Sequence, residues 1–252
     1  MKFFFISSNS TEAKNAKEKY VSKYGQSDLA ESEIIVPIGG DGFLLKTLHD
    51  YKKYQKSFYG INYGSIGFLM NNETEANLNE VVKNSQSIKL NPLQMIATNS
   101  NSEKFESIAF NEVSLMRQTH QAAKISININ NVNRMKELIC DGILVSTAAG
   151  STAYNLSAHG SIIPLESKLL ALTPISAFRP RRWRGALLEE ETKINFVVNN
   201  SEQRLVSVTA DHNEFRNIET VEITSSKNIT INLLFDSKYS IEERILKEQF
   251  YA

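Results

Sequence analysis

Residues 33–50, EIIVPIGGDGFLLKTLHD, constrain the fold more than any other stretch of the chain. An apolar run ends in Gly39, Gly40 and Gly42, with Asp41 among them, and a helical pattern follows. Glycine-rich turns between a strand and a helix hold phosphates with backbone N–H groups and the positive end of the helix dipole. A carboxylate there repels phosphate, so the turn must do something else as well.

The strand-then-helix order recurs on both sides of this turn. Lys2 to Ser7 read as a first strand, and Asn9 with Glu12 has capping-box spacing ahead of Ala13, Ala16, Tyr20 and Tyr24, which recur at helical intervals up to Gly25. SFYGIN followed by YGSIGFL reads as a third strand with a glycine-rich exit, and ETEANLNEVVKN as a helix with Asn72 as its N-cap. Alternation with short links predicts a parallel, doubly wound sheet whose ligands sit at the carboxyl ends of the strands. From about Ile88 the texture changes: AKISINI, ETKINFVV, QRLVSV and NITINLLF alternate with period two and predict a strand-rich second domain. SIEERILKEQFYA is amphipathic and is expected to return as a closing helix.

A chain of 252 residues should bury roughly three quarters of its unfolded surface and needs no disulfide or structural metal to be stable. Acidic and basic residues number 28 each, so no global field calls for nucleic acid or an anionic membrane as partner. Cys140 is the only cysteine, which excludes an internal disulfide and a multi-cysteine zinc site and fits a reducing cytoplasm. MKFFFISSNS has too short an apolar run for a signal peptide, and no stretch approaches a membrane span.

Four stretches could carry chemistry, and each has a structural alternative. Asp41 could simply cap a helix, but the flanking glycines leave the backbone bare for a bulky anionic ligand. No Walker lysine motif and no G-x-G-x-x-G follows. In IAFNEVSLMRQ, Asn111 and Glu112 interrupt an otherwise alternating strand, so one of them faces a site or the interior, unless the position is an edge. In residues 140–160 a strand, Ile143 to Ser146, exits into STAAGSTAYN, with Gly150 allowing a tight turn before a short helix. Ser151, Thr152, Tyr154 and Asn155 crowd hydrogen-bonding groups there and Asp141 precedes the strand; the alternative is a hydroxyl-rich capped turn. Cys140 reads as a small buried hydrophobe. FRPRRWRG sets Arg179, Arg181, Arg182 and Arg184 around Trp183, suited to phosphate oxygens or to a solvated rim or subunit contact. His49, His120, His159 and His212 lack metal-ligand spacing, and His212 in TADHNE is the one at a strand end.

Together these stretches resemble the NAD kinase family. GGDG at 39–42, GINYGSIGFL at 60–69, Asn111–Glu112, DGILVSTAAGSTAYNLS at 141–157 and Asp211–His212 match its signatures in order and span nearly the whole chain. The glycine–aspartate turn alone is shared with diacylglycerol and sphingosine kinases and phosphofructokinases, whereas the combination is far more specific. The resemblance implies an α/β fold: a Rossmann-like domain, residues 1–87 and 236–252, and a β-rich, sandwich-like domain, residues 88–235. It implies an NAD+ kinase that transfers the γ-phosphoryl group of ATP, with magnesium, to the 2′-hydroxyl of the adenosine ribose of NAD, giving NADP. It also implies homo-oligomerisation, as a homodimer or homotetramer, while the sequence leaves open whether polyphosphate replaces ATP as donor.

Residue by residue, the resemblance implies that Asp41 binds the reacting ribose and assists removal of the hydroxyl proton. Gly42, Asn62, Asn111, Glu112 and Asp141 would contact NAD, as would Thr152, Ala153, Tyr154, Ser157 and His212. Gly39, Gly40, Gly42, Lys46 and Arg179 would meet phosphates. The carboxylate at the centre of the turn then faces an alcohol that must lose its proton. Two positions depart from the family pattern: Phe43 stands where a threonine is common, and Ala149 where many relatives have proline. Two rivals share the signatures in part. A lipid kinase of the same superfamily would present an apolar acceptor groove, and a dinucleotide sensor would keep the pocket without turnover.

Overall fold

The computed structural model describes residues 1–64 and 67–238. The chain divides into two compact units, Met1–Leu90 with the stretch from Ile229 onward, and Asn91–Asn228.

The first unit runs β1 (Phe3–Ser7), α1 (Thr11–Tyr24), β2 (Ile34–Gly39), α2 (Asp41–Tyr51), β3 (Ser57–Phe58), β4 (Ile61–Asn62), α3 (Leu78–Lys83) and β5 (Gln86–Leu90). β1, β2 and β3 are parallel neighbours, and β4 joins β2 in parallel beyond the end of β3. All six residues of β2 are buried, as a parallel strand covered on both faces requires. Alternation along β1 assigns those faces: Phe5 stacks on Tyr20 of α1, while Phe4 meets Tyr51 of α2. Ser10 caps α1 through the Ala13 N–H, one residue after the expected Asn9. Asn77, not Asn72, caps α3, because the segment before it turns instead of coiling.

The second unit follows as β6 (Leu93–Asn99), β7 (Lys104–Ala109), β8 (Glu112–Arg117), β9 (Ala123–Ile129), β10 (Val132–Cys140) and β11 (Gly142–Ser146). After α4 (Tyr154–Ser157) come β12 (Leu169–Ile175), β13 (Ala186–Glu189), β14 (Ile194–Val198), β15 (Val206–Ala210), β16 (Asn213–Phe215) and β17 (Ile218–Ser225). They form two antiparallel sheets of six strands, β10-β9-β14-β17-β6-β7 and β13-β12-β11-β8-β15-β16. Alternate residues of β6, β9 and β14 join Val113, Leu115, Ile143, Val145, Val206 and Val208 from the other sheet in one core. That is a β-sandwich.

β18 (Ile231–Phe235), the strand within NITINLLF, was expected in the strand-rich domain. It lies instead in the first unit's sheet, parallel to β3 and antiparallel to β5. A buried asparagine fixes it there: Asn71 Nδ2 donates to the Gly60 and Leu234 carbonyls, and its Oδ1 accepts the Asp236 N–H. The expected closing helix, 240–252, lies outside the described residues.

Candidate active site

At the carboxyl end of β2 the chain turns through Gly40, the N-cap of α2, so Asp41 is the first residue of the helix and not its N-cap. Its carboxylate accepts two consecutive N–H groups from the loop after β4, Phe68 at 2.7 Å and Leu69 at 3.1 Å. The acid therefore ties the glycine turn to the GINYGSIGFL loop. Two such bonds, one to each oxygen, fix the direction of the carboxylate. The loop is drawn in further by Tyr63 N–H on the Gly39 carbonyl, 2.7 Å, and by the close packing of Gly64 on Gly40, where a Cβ would stand 2.9 Å from the Gly40 Cα.

Gly42 is exposed, and a side chain there would meet no atom within 4 Å. Lys46 is exposed on the next turn of α2. Asn62 turns its side-chain oxygen onto the Gly64 N–H and its amide lies beneath Gly67. Phe43, in place of the common threonine, packs its ring against Gly39.

The second unit gathers the other candidates around one turn. Asn111 and Glu112 were expected in mid-strand; instead β7 ends at Ala109 and β8 starts at Glu112, and the pair sits where the chain crosses from one sheet to the other. A sheet switch breaks alternation as an embedded polar pair would. The strand exit of β11 supports this turn: Thr147 N–H and Oγ1 donate to the Asn111 and Phe110 carbonyls at 2.9 and 2.6 Å. Thr147 Oγ1 also accepts the Gly150 N–H. Gly150 is needed for close approach to the Asn111 main chain, with no positive φ involved, and it lies in a short 3-10 turn, Ala149–Thr152, that leads to α4.

Two oxygens in this turn, Asn111 Oδ1 and Glu112 Oε2, are buried without a hydrogen-bond partner among the described residues. Buried acceptors of this kind are costly unless a ligand donates to them. Burial, and then the charge of Asp211, pushes the Glu112 carboxyl up to about 7. Burial, then Glu112 and Asp141, raises the Tyr154 phenol, which places Tyr154 in the same field. Thr152 ends the 3-10 turn, Ala153 links it to α4, and Ser157, exposed, ends the helix that Tyr154 opens. Asp141 pairs with Arg117 across β11 and β8 at 2.5 Å.

Arg179 lies beside the end of β10, which leads into Asp141. Its backbone bridges to Ile139 and its guanidinium lies over Phe178, 4.7 Å from the ring centroid, beside exposed Arg181, Arg182 and Arg184. Cys140 is buried with its thiol pushed up to about 12 by burial, so it is no nucleophile at neutral pH. His212 is exposed in the β15–β16 turn. Its neighbour Asp211 is the residue that sequence reasoning passed over: its carboxylate binds the Asn111–Glu112 turn, and the only signal was its place in the Asp211–His212 pair.

An α/β unit with a glycine–aspartate turn, joined in one chain to a β-sandwich carrying an Asn–Glu turn, is the architecture of nucleotide kinases of the NAD(H) type. Yeast NADH kinase, solved with NADH, matches with a TM-score of 0.84 at 17% identity over 100% of this chain and 88% of that one. An NAD kinase from Archaeoglobus fulgidus, solved with ATP, matches with a TM-score of 0.80 at 20% identity over 98% of both. The family model of the ATP-NAD kinase C-terminal domain matches residues 110–234. NAD kinases of Mesorhizobium japonicum and Xylella fastidiosa are each 48% identical to this chain over 246 residues, 98% of it and 96% and 95% of their own lengths. The chain belongs to the NAD kinase family.

Proposed function

We propose that the protein transfers the γ-phosphoryl group of ATP to the 2′-hydroxyl of the adenosine ribose of NAD, producing NADP and ADP. The observation that carries this reading is 48% identity to NAD kinases along nearly the full chain. The 2′-oxygen forms its bond to phosphorus as the bond from phosphorus to the β-phosphate bridging oxygen breaks. The hydroxyl proton passes to Asp41 and then to solvent. Asp41 suits that role because two backbone N–H groups hold its carboxylate in a fixed direction. Magnesium enters with ATP as part of that substrate and offsets the phosphate charge.

The assignment gives proton removal to the first unit and adenosine recognition to the second. Asn111 Oδ1 and Glu112 Oε2 accept from ribose hydroxyl or adenine amino groups, with Thr152, Ala153, Tyr154, Ser157 and His212 beside them and Asp141 toward the nicotinamide end. Gly39, Gly40, Gly42 and Lys46 serve phosphates, as does Arg179. A lipid acceptor is not favoured, because buried unpaired oxygens demand a polar partner. A homo-oligomeric, cytoplasmic enzyme completes the proposal, supported by the family resemblance and by the single, buried cysteine.

Purified protein incubated with NAD, ATP and magnesium, read by an NADP-specific coupled assay, tests this directly. NADP from the wild type and none from Asp41→Asn is the expected result. No NADP from folded wild type would overturn the reading, and lipid acceptors would be tried next.

A further inference from the structure

Asp211 lies in the turn between β15 and β16, in left-handed backbone with φ 52°, and its carboxylate reaches a segment 100 residues earlier in the chain. Its Oδ2 accepts the Phe110 N–H at 2.7 Å, and its Oδ1 accepts the N–H groups of Asn111 at 3.0 Å and Glu112 at 3.4 Å. Its own N–H donates to the Glu112 carbonyl at 3.1 Å. Thr147 holds the Phe110 and Asn111 carbonyls from the other side. The main-chain polar groups of the turn are therefore engaged within the protein. What the turn offers outward is the pair of side-chain oxygens, Asn111 Oδ1 and Glu112 Oε2.

We propose that Asp211 is a positioning residue for nucleotide binding, acting through Asn111 and Glu112 without touching the ligand. The inference rests on the NAD kinase reading above. Hydrogen bonds to a charged acceptor are about twice as strong as neutral ones, which suits a turn that must hold two unpaired oxygens in fixed directions. The charge has a second consequence. Glu112 changes protonation near neutrality, with burial as the first cause and Asp211 as the second. Tyr154, from α4, is the other titratable group coupled to it; β11 presents only Ser146 opposite, and His212 is exposed next to Asp211.

Asp211→Asn, assayed beside wild type, tests the assignment. The KM for NAD should rise at least about tenfold, the size of effect of losing a charge-assisted hydrogen bond, with the KM for ATP nearly unchanged. The midpoint of the pH dependence of the NAD KM should move to lower pH, because the charge that helps keep Glu112 protonated is gone. A merely structural role would lower the melting temperature and leave that midpoint in place. An unmoved midpoint or an unchanged NAD KM overturns the proposal. Asp211→Glu keeps the charge but overshoots the turn, so it should retain the midpoint and still raise the NAD KM; it carries the test if Asp211→Asn does not fold, and an unchanged KM there is equally fatal. If wild type makes no NADP, the functional reading fails separately, and titration calorimetry with NAD on the same proteins measures the positioning effect as a loss of affinity.

Discussion

A side chain added at Gly42, in the first unit, would meet no atom within 4 Å, whereas one added at Gly150, in the second, would strike the Asn111 main chain, 2.5 Å from both its carbonyl carbon and its Cα. Both glycines sit in loops that the sequence marks for a ligand, and both follow a buried strand. At Gly42 the missing side chain leaves open backbone at the start of a helix, where N–H groups and the helix dipole face outward. At Gly150 it lets two loops of the protein touch. The acids beside them differ in the same sense. Asp41 is braced by the Phe68 and Leu69 N–H groups, while Glu112 keeps one oxygen without a partner among the described residues. In the first turn the protein braces the acid and bares the backbone; in the second it braces the backbone and bares the acid.

Removing the braced acid should have the largest effect. Asp41→Asn is expected to lower kcat by about 10²- to 10⁴-fold, the usual contribution of a positioned base. The variant also turns an amide N–H₂ toward the Phe68 or Leu69 N–H, so steady-state constants must separate the two roles. A base role lowers kcat with the NAD KM little changed. Loss of loop bracing alone raises KM and spares kcat, and that pattern would return Asp41 to architecture.

Gly150→Ala should come next, because its methyl group has no room and the neighbour is main chain. Overpacking of this kind costs about 1–3 kcal/mol, measurable as a lower denaturation midpoint. Displacement of Asn111 should raise the NAD KM as well. Unaltered stability would mean that the two loops slide apart cheaply, and Gly150 would then be no packing requirement.

Glu112→Gln probes the bared acid through pH. The folded-state value near 7 lies above the ordinary 4.5, so between these pH values the folded protein holds a proton that the unfolded chain has released. Stability is therefore lost as pH rises through that window and stays lower above it. Glutamine carries no charge to bury, so the variant should be more stable than wild type at pH 8 by about 3 kcal/mol and equal to it near pH 4. Equal melting temperatures at pH 8 would show that the carboxylate is not desolvated.

Much of the fold was legible because burial writes itself into spacing. The unbroken apolar run of β2 is buried at every position, and the period-two segments of β9 and β14 alternate as their spacing requires. Spacing does not say which sheet a strand joins, and β18 reads like its neighbours in sequence while Asn71 ties it to the other unit. The Asn111–Glu112 turn was visible as a broken alternation, but a sheet switch and a polar insertion break it alike. Asp211 stood out only as part of the Asp211–His212 pair, and its bonding role was illegible for a different reason: a hydrogen bond across 100 residues leaves no local pattern, and its left-handed backbone is one that aspartate adopts in ordinary turns. The Asp41 turn was recognised by its glycines, yet the bracing by Phe68 and Leu69 depends on how a second loop returns to it.

Gly42→Ala is the smallest expected change and the one that bears most on the comparison. Gly42 lies in the first turn of α2 without a positive φ, so alanine fits the backbone and removes unfolded-state entropy. Stability should be unchanged or higher by up to about 1 kcal/mol, the span between glycine and alanine in helices. The added methyl would nonetheless stand on the face where phosphates are proposed to approach, and the KM for ATP or NAD should rise several-fold. A variant that is as stable as wild type and binds nucleotide less well is the signature of a glycine kept for a ligand. Gly150→Ala should instead lose stability and affinity together, because there the first thing displaced is the protein itself. If Gly42→Ala keeps both kinetic constants, the open backbone of the first turn is not used in binding. Phosphate recognition would then rest on Gly39, Gly40 and the side chains of Lys46 and Arg179.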